Sequence, residues 1–234
     1  MTKQKSSSEQ FKLVALLPMK ANSNRVKGKN FRDLAGKPLF RWILDTLLSI
    51  ELIDQVIINT DAKELLLENG LPINDRIKIR KRKQEICGDN VSMNLVLQDD
   101  IENVHSELYL MTHTTNPFLT KESIITSIQE FYTAILERNI DSLFSVNKLQ
   151  TRFYSENCQP INHDPNHLIP TQDLEPWFEE NSNLYLFTKD SFMKRRARIG
   201  SNPMMFETKK VESVDIDTPE DWELASMIAK SILI

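Results

Sequence analysis

The chain has 234 residues, of which 40% are hydrophobic and 26% charged, with a formal net charge of −4. That length supports one large core, and the acidic balance argues against nucleic acid as a partner. Cys87 and Cys158 stand far apart and form neither a disulfide framework nor a metal spacing, and no run approaches the roughly 18 apolar residues of a membrane span.

The start, MTKQKSSSEQF, is polar and has no apolar signal segment. The expectation is a cytoplasmic protein with a disordered tail over residues 1–11 and a single domain over 12–234. KLVALL (12–17) is a continuous apolar run, as in a strand buried on both faces. PLFRWILDTLLSI (38–50) has helical spacing, with Pro38 suited to a first turn. QVIIN (55–59) predicts a strand, AKELLLENG (62–70) a short helix closed by glycine, and RIKIR (76–80) a half-exposed strand. VSMNLVLQDDIENV (91–104) predicts a helix, ELYLMTH (107–113) a strand, KESIITSIQEFYTAILER (121–138) a helix and LFSVN (143–147) a strand. Residues 149–181 carry prolines and little periodicity, which predicts a protruding subdomain. NLYLF (183–187) and VESVDID (211–217) predict two more strands. TPEDWELASMIAKSILI closes the chain as a helix, with Thr218 as its N-cap and Glu220 and Asp221 in its first turn.

Alternating strands and helices predict an α/β fold: a mostly parallel, doubly wound sheet with helices on both faces. Ligands bind such sheets outside the carboxyl ends of the strands. PMKANSNR, NTD (59–61), HTTNP (113–117) and VNK (146–148) all follow predicted strand ends and are expected to line one crevice.

Two constellations carry chemistry. LLPMKANSNRVKGKN (16–30) leaves a buried strand with four cations, three asparagines and one glycine. Its N–H groups could face a phosphate, with Lys20, Arg25, Lys27 and Lys29 neutralising charge; the alternative is a solvated loop, since neither GxxxxGK[ST] nor GxGxxG is present. In VDIDTPED (214–221), Asp215 and Asp217 sit two apart on the predicted strand and so share a face. Paired hard oxygen ligands suit Mg²⁺; the alternative gives Asp217 to the helix cap and leaves Asp215 as surface decoration. RIKIRKRK (76–83) has six cations in eight residues, and its Arg76, Lys78 and Arg80 are expected on one solvated strand face. KRRAR (194–198) is assigned no site. Pro165 between His163 and His167 argues against a metal pair, whereas His113 ends a strand at the crevice. No GxSxG occurs and neither cysteine has an activating neighbour.

Together these motifs resemble the acylneuraminate cytidylyltransferases, which make CMP-activated sialic-acid-like sugars from CTP. The opening P-A-R-x-G-S-K-R-I-P-x-K-N of that family is similar to PMKANSNRVKGKN. A strand ending in TD appears as INTD, R-P-x-x-L-x-x-D as RKQEICGD (82–89), and Q-P-T-S-P as HTTNP. Q-x-L-P before N-G-A-I-Y appears as QDLEP before NSNLY, and D-I-D-T-x-x-D is intact. The resemblance runs from about Phe11 to Lys230.

The resemblance implies attack of a sugar hydroxyl on the α-phosphate of CTP, with pyrophosphate leaving. It implies Lys29 on the triphosphate, with Lys20, Ser23, Arg25, Asn30 and Arg82 around the nucleotide. Asp217 becomes the main Mg²⁺ ligand with Asp215 beside it, so Lys29 and Asp217 are the catalytic pair. His113, Gln172 and Tyr185 fall near the acceptor, and residues 149–181 form a dimerisation or acceptor subdomain of a homodimer. The departures are Lys20 for the family's arginine, Asn22 for its glycine, Asn24 for its lysine, His113 for its glutamine, and Thr171 for the arginine near the sugar carboxylate. The acceptor end is therefore more altered than the metal end. Two other readings stand beside this one: a sugar-1-phosphate nucleotidyltransferase using another nucleotide, and a catalytically silent nucleotide-binding relative.

Overall fold

The computed structural model describes residues 11–21, 26–88 and 90–232. In chain order its elements are β1 (Leu13–Leu16), β2 (Asp33–Leu34), β3 (Lys37–Pro38), α1 (Leu39–Leu48), β4 (Gln55–Thr60), α2 (Lys63–Glu68), β5 (Ile77–Lys81) and α3 (Met93–Asn103). Then come β6 (Leu108–Thr112), α4 (Lys121–Arg138), β7 (Ser142–Leu149), β8 (Trp177–Thr188), α5 (Lys189–Arg195), β9 (Pro203–Glu207) and α6 (Pro219–Ile232). The sheet order is β5-β4-β1-β6-β8-β7-β9. Every pairing in it is parallel except the two made by β8. The chain moves outward from β1 through β4 to β5 and then returns to place β6 on the other side of β1. That reversal opens a crevice at the carboxyl ends of β1 and β6.

Successive residues of β1 enter different layers, because side chains alternate across a strand. Leu13 and Ala15 pack with Phe40, Ile43, Leu44, Ile128 and Phe131 of α1 and α4. Val14 and Leu16 pack with Leu97, Ile101 and Phe192 of α3 and α5. This two-sided burial is why the strand reads as one apolar run. A third cluster joins Val26, Leu34, Leu39 and Trp42 to Phe118, Ile216 and Trp222, and it seats α6 beside the β2–β3 hairpin.

Three sequence expectations need correction. VESVDID is not a strand: the free edge of β7 is occupied by β9, and turns at Lys209–Ser213 send the chain back toward residue 115. β9 escaped notice because it is mostly exposed and has little alternation. VNK does not follow a strand end; it lies within β7, whose outer half pairs with Trp177–Glu180 of β8 beyond an irregularity at Phe144/Val146. The arm therefore has a regular two-stranded base, and β8 begins inside the stretch expected to lack structure. Within 151–180 only Leu174 is buried. The expected tail lies outside the described residues, Phe11 excepted.

The turn between α5 and β9 is held tightly. Ser201 N donates to Asp141 Oδ2 at 2.8 Å and Asn202 N to Asp141 Oδ1 at 3.1 Å. Gly200 N donates to Ser142 Oγ at 2.7 Å. A Cβ on Gly200 would lie 2.2 Å from both Asp141 Oδ1 and Ser191 Oγ. Gly200→Ala is expected to cost about 1–3 kcal/mol through overpacking, read as a lower urea midpoint with an unchanged slope.

Candidate active site

The loop after β1 is fixed at both ends. Met19 N donates to Asn59 O at 3.1 Å, and Ala21 N donates to Asp61 Oδ1 at 2.7 Å. Where the chain is next described, Gly28 adopts φ 60° and opens a 3-10 turn over Lys29–Phe31; glycine takes that left-handed conformation without steric cost. The turn drives Lys29 and Asn30 inward, each only 8% exposed. Asn30 Nδ2 donates to Lys20 O at 2.9 Å, while Asn30 Oδ1 accepts from Thr114 Oγ1 at 2.7 Å. Its amide therefore ties the loop after β1 to the loop after β6. Ser23 and Arg25 lie outside the described residues, as do Asn22 and Asn24.

Lys29 Nζ donates to Ile216 O at 2.5 Å and pairs with Asp217 Oδ1 at 3.1 Å. The two motifs that open and close the chain thus meet. Asp215 and Asp217 do not share a strand face, since no strand exists there. They flank Ile216, which is fully buried in the third cluster, and Ile216 N donates to Thr115 O at 3.0 Å. Asn116 Nδ2 reaches Val214 O at 3.4 Å. Burial raises the Asp215 carboxyl above its ordinary range, and the nearby Asp217 adds to this against the pull of Thr115 and Lys29. Asp215 Oδ1 is buried and has no hydrogen-bond partner. Glu212 steadies the same segment: its carboxylate accepts from Thr120 and Ser123 at the start of α4 and from Lys209 N. The α6 cap forms as expected, with Asp221 N on Thr218 Oγ1 at 3.2 Å and Asp221 Oδ2 accepting from Thr218 N at 2.7 Å.

His113 closes the other side of the crevice. Burial lowers its pKa to about 4, and the facing charges of Arg198 and Lys29 act in the same direction, opposed by Asp217. Tyr185 is not available to a ligand as expected. It is fully buried, and its hydroxyl donates to Glu180 and approaches Ser182 Oγ at 3.2 Å. Arg198 lies over its ring, 3.9 Å from the centroid. KRRAR carries no expected site; the sheet order brings the end of α5 beside β8 and so sets Arg198 against Tyr185. Gln172 is exposed on the arm, where its carbonyl accepts from Gln150 at 3.1 Å; no contact among the described residues joins it to His113.

Arg82 is 4% exposed. Its Nε donates to Asn59 Oδ1 at 3.0 Å, and its Nη2 to Asn59 O at 2.8 Å and Met19 O at 3.3 Å. These bonds brace the loop after β1. Asn59 in turn donates to Asp100 at 2.8 Å, as does Arg80 Nε. Arg76 donates to the carbonyls of Leu48 and Ile50 at the end of α1, a favourable place for a cation. The expected solvated face therefore survives only at Lys78.

Residues 14–232 match the cytidylyltransferase family. The chain is 24% identical over 230 residues to a pseudaminic acid cytidylyltransferase of Campylobacter jejuni, covering 94% of this chain and 97% of the relative. It is 24% identical to a CMP-N,N'-diacetyllegionaminic acid synthase of Legionella pneumophila, covering 93% and 96%. An N-acylneuraminate cytidylyltransferase of Streptococcus agalactiae is 23% identical and is spanned over 52% of its length, against 90% of this chain. In fold, the chain resembles a CMP:2-keto-3-deoxy-manno-octonic acid synthetase complexed with CTP, with a TM-score of 0.67, 14% identity, and coverage of 94% and 99%. It also resembles a 4-diphosphocytidyl-2C-methyl-D-erythritol synthase from Anaerococcus prevotii, with a TM-score of 0.65, 13% identity, and coverage of 94% and 96%.

The depressed pKa of His113 has a measurable consequence. Below about 6.5 the unfolded chain protonates this imidazole while the folded chain does not, so its contribution to stability is present above 6.5 and is lost as pH falls toward 4. Between pH 7 and 5 the wild type is expected to lose more stability than His113→Gln, measured by urea unfolding. The His113 ring resonances are expected to stay those of a neutral imidazole through pH 5.5.

Proposed function

Because the chain belongs to the cytidylyltransferase family, we propose that it transfers CMP from CTP to a sialic-acid-like 2-keto-3-deoxy sugar acid and releases pyrophosphate. The observation that carries this reading is the contact of Lys29 with Ile216 and Asp217 at the mouth of the β1–β6 crevice. It gathers a cation and two carboxylates at one crevice, which supports reading that crevice as the meeting point of a triphosphate and an acceptor. The acceptor hydroxyl oxygen bonds to the α-phosphorus, the bond from that phosphorus to the bridging oxygen of the leaving pyrophosphate breaks, and the hydroxyl proton passes to solvent water. Charge neutralisation and alignment supply most of the rate in such transfers. Lys29 neutralises the triphosphate. His113, held neutral, accepts or donates a hydrogen bond at the acceptor without adding charge. Asn30 and Arg82 keep the loop in register.

Asp215 and Asp217 fit Mg²⁺ as paired hard oxygen donors, and the partnerless Asp215 oxygen is the kind of atom a cation satisfies. Among the described residues no group of three or more acidic, histidine or cysteine side chains is placed to hold a metal. An ion held by these two carboxylates would be completed by substrate oxygens. Bound there, Mg²⁺ would neutralise phosphate charge and make the acceptor hydroxyl more acidic.

The arm is read as the dimer contact of a homodimer. It presents Tyr154, Ile161, Leu168, Trp177 and Phe178 largely exposed, more apolar surface than a monomer's arm has reason to show. With CTP as donor, the reaction belongs in the cytoplasm. Among the described residues no helix is long and apolar enough to cross a membrane.

Purified protein with CTP and Mg²⁺ is expected to release pyrophosphate on a panel of pseudaminic, legionaminic, N-acetylneuraminic and 2-keto-3-deoxy-octonic acids, and to stop when the metal is chelated. Asp217→Asn is expected to lower kcat by about 10²-fold or more with little change in melting temperature; a fully active variant would remove Asp217 from the site. Light scattering on a sizing column is expected to give twice the 27.2 kDa chain mass.

A further inference from the structure

We propose that Arg198 holds the carboxylate of the acceptor in this chain, in place of the arginine that Thr171 replaces. The inference rests on the cytidylyltransferase reading and names the residue that recognises the acid. A sugar acid entering a low-dielectric crevice needs a cation for its carboxylate. The β8–β6 pairing sets Tyr185, which carries the Arg198 guanidinium on its ring, opposite Met111 two residues before His113, and the Arg198 charge acts on His113; Lys29, whose charge also acts there, is the cation assigned to the triphosphate. Thr171 is neutral and lies on the arm.

Arg198 is also mounted as a binding group needs to be. Its guanidinium rests on the ring of Tyr185, which is fully buried and tethered through its hydroxyl. The chain that carries it is locked two to four residues later by Gly200, Ser201 and Asn202 on Ser142 and Asp141. Preorganisation of this kind limits the entropy lost on binding. Its one ion pair among the described residues is with Glu180 at 3.4 Å, and the Glu180 side chain is 41% exposed. A long, wet pair of this sort holds weakly, and a guanidinium has five donors, so a planar fork remains for a carboxylate. Glu180 beside it is placed to accept from a hydroxyl or amide of the same ligand.

The competing account is that Arg198 only covers Tyr185. The two are separated by measuring kcat/KM for each acid of the panel and for its C1 carboxamide, in wild type, Arg198→Ala and Arg198→Lys, with melting temperatures alongside. Wild type is expected to prefer acid over amide by about 10- to 100-fold, the scale of a charge-assisted hydrogen bond. In Arg198→Ala that preference should collapse to near unity while the KM for CTP holds. Arg198→Lys should recover part of it, because lysine restores charge without the fork, and it serves as the readout if the alanine variant does not fold. Turnover with an unchanged acid-over-amide ratio in both variants would overturn the Arg198 assignment alone. No pyrophosphate release by wild type on any acid would instead overturn the transfer reading on which it stands.

Discussion

The ammonium of Lys29, 8% exposed as a residue and clasped by Ile216 O and Asp217, is the contact on which the site depends. Removing an ammonium from water costs several kcal/mol unless it is paired and hydrogen-bonded. The chain must therefore bring residue 217 to residue 29 or leave both charges unsatisfied. Everything around the crevice serves that closure. Gly28 turns the chain inward, Asn30 ties the turn to Thr114, and Ile216 is pulled into the cluster under α6.

A second layer of buried polar groups explains why the loop after β1 can be held with so little regular structure. Asp100 is fully buried, and burial moves its pKa to about 6 despite the pull of Asn59 and Arg80. Arg82 is held the other way: burial lowers its pKa against the pull of Asp61, Cys87 and Asp100. Between them Asn59 passes hydrogen bonds from α3 to the carbonyl of Met19. Such networks are costly when partly satisfied and rigid when complete. Here the network is satisfied around Asn59 and Arg82, leaves Asp100 Oδ2 buried without a partner, and holds the backbone of Met19 just beyond β1.

The two halves of the crevice are built differently. One draws on the loops that follow β1 and β6, parallel strands whose spacing the sheet fixes. The other draws on β8, the one reversed strand, and on the turn that follows α5. Departures from the family pattern are spread over the chain: Lys20, Asn22 and Asn24 in the opening loop, His113 at the end of β6 and Thr171 on the arm.

The sequence by itself determined the alternation of strands and helices, the span of α4 at Lys121–Arg138, the Thr218–Asp221 cap, and the pairing of an opening cationic loop with a closing aspartate motif. These are local periodicities, caps and ordered motifs, and each is written within a few residues. Only the tertiary structure decided that Tyr185 is buried, that Arg82 and Asn30 hydrogen-bond the loop after β1, that Asp215 and Asp217 are set by a buried Ile216 rather than a strand, and that Arg198 rests on the ring of Tyr185. Those facts depend on which strand lies beside which. A strand's alternation says that one face is buried, but not what will cover it, and the neighbour of β8 is chosen by the fold of the whole chain.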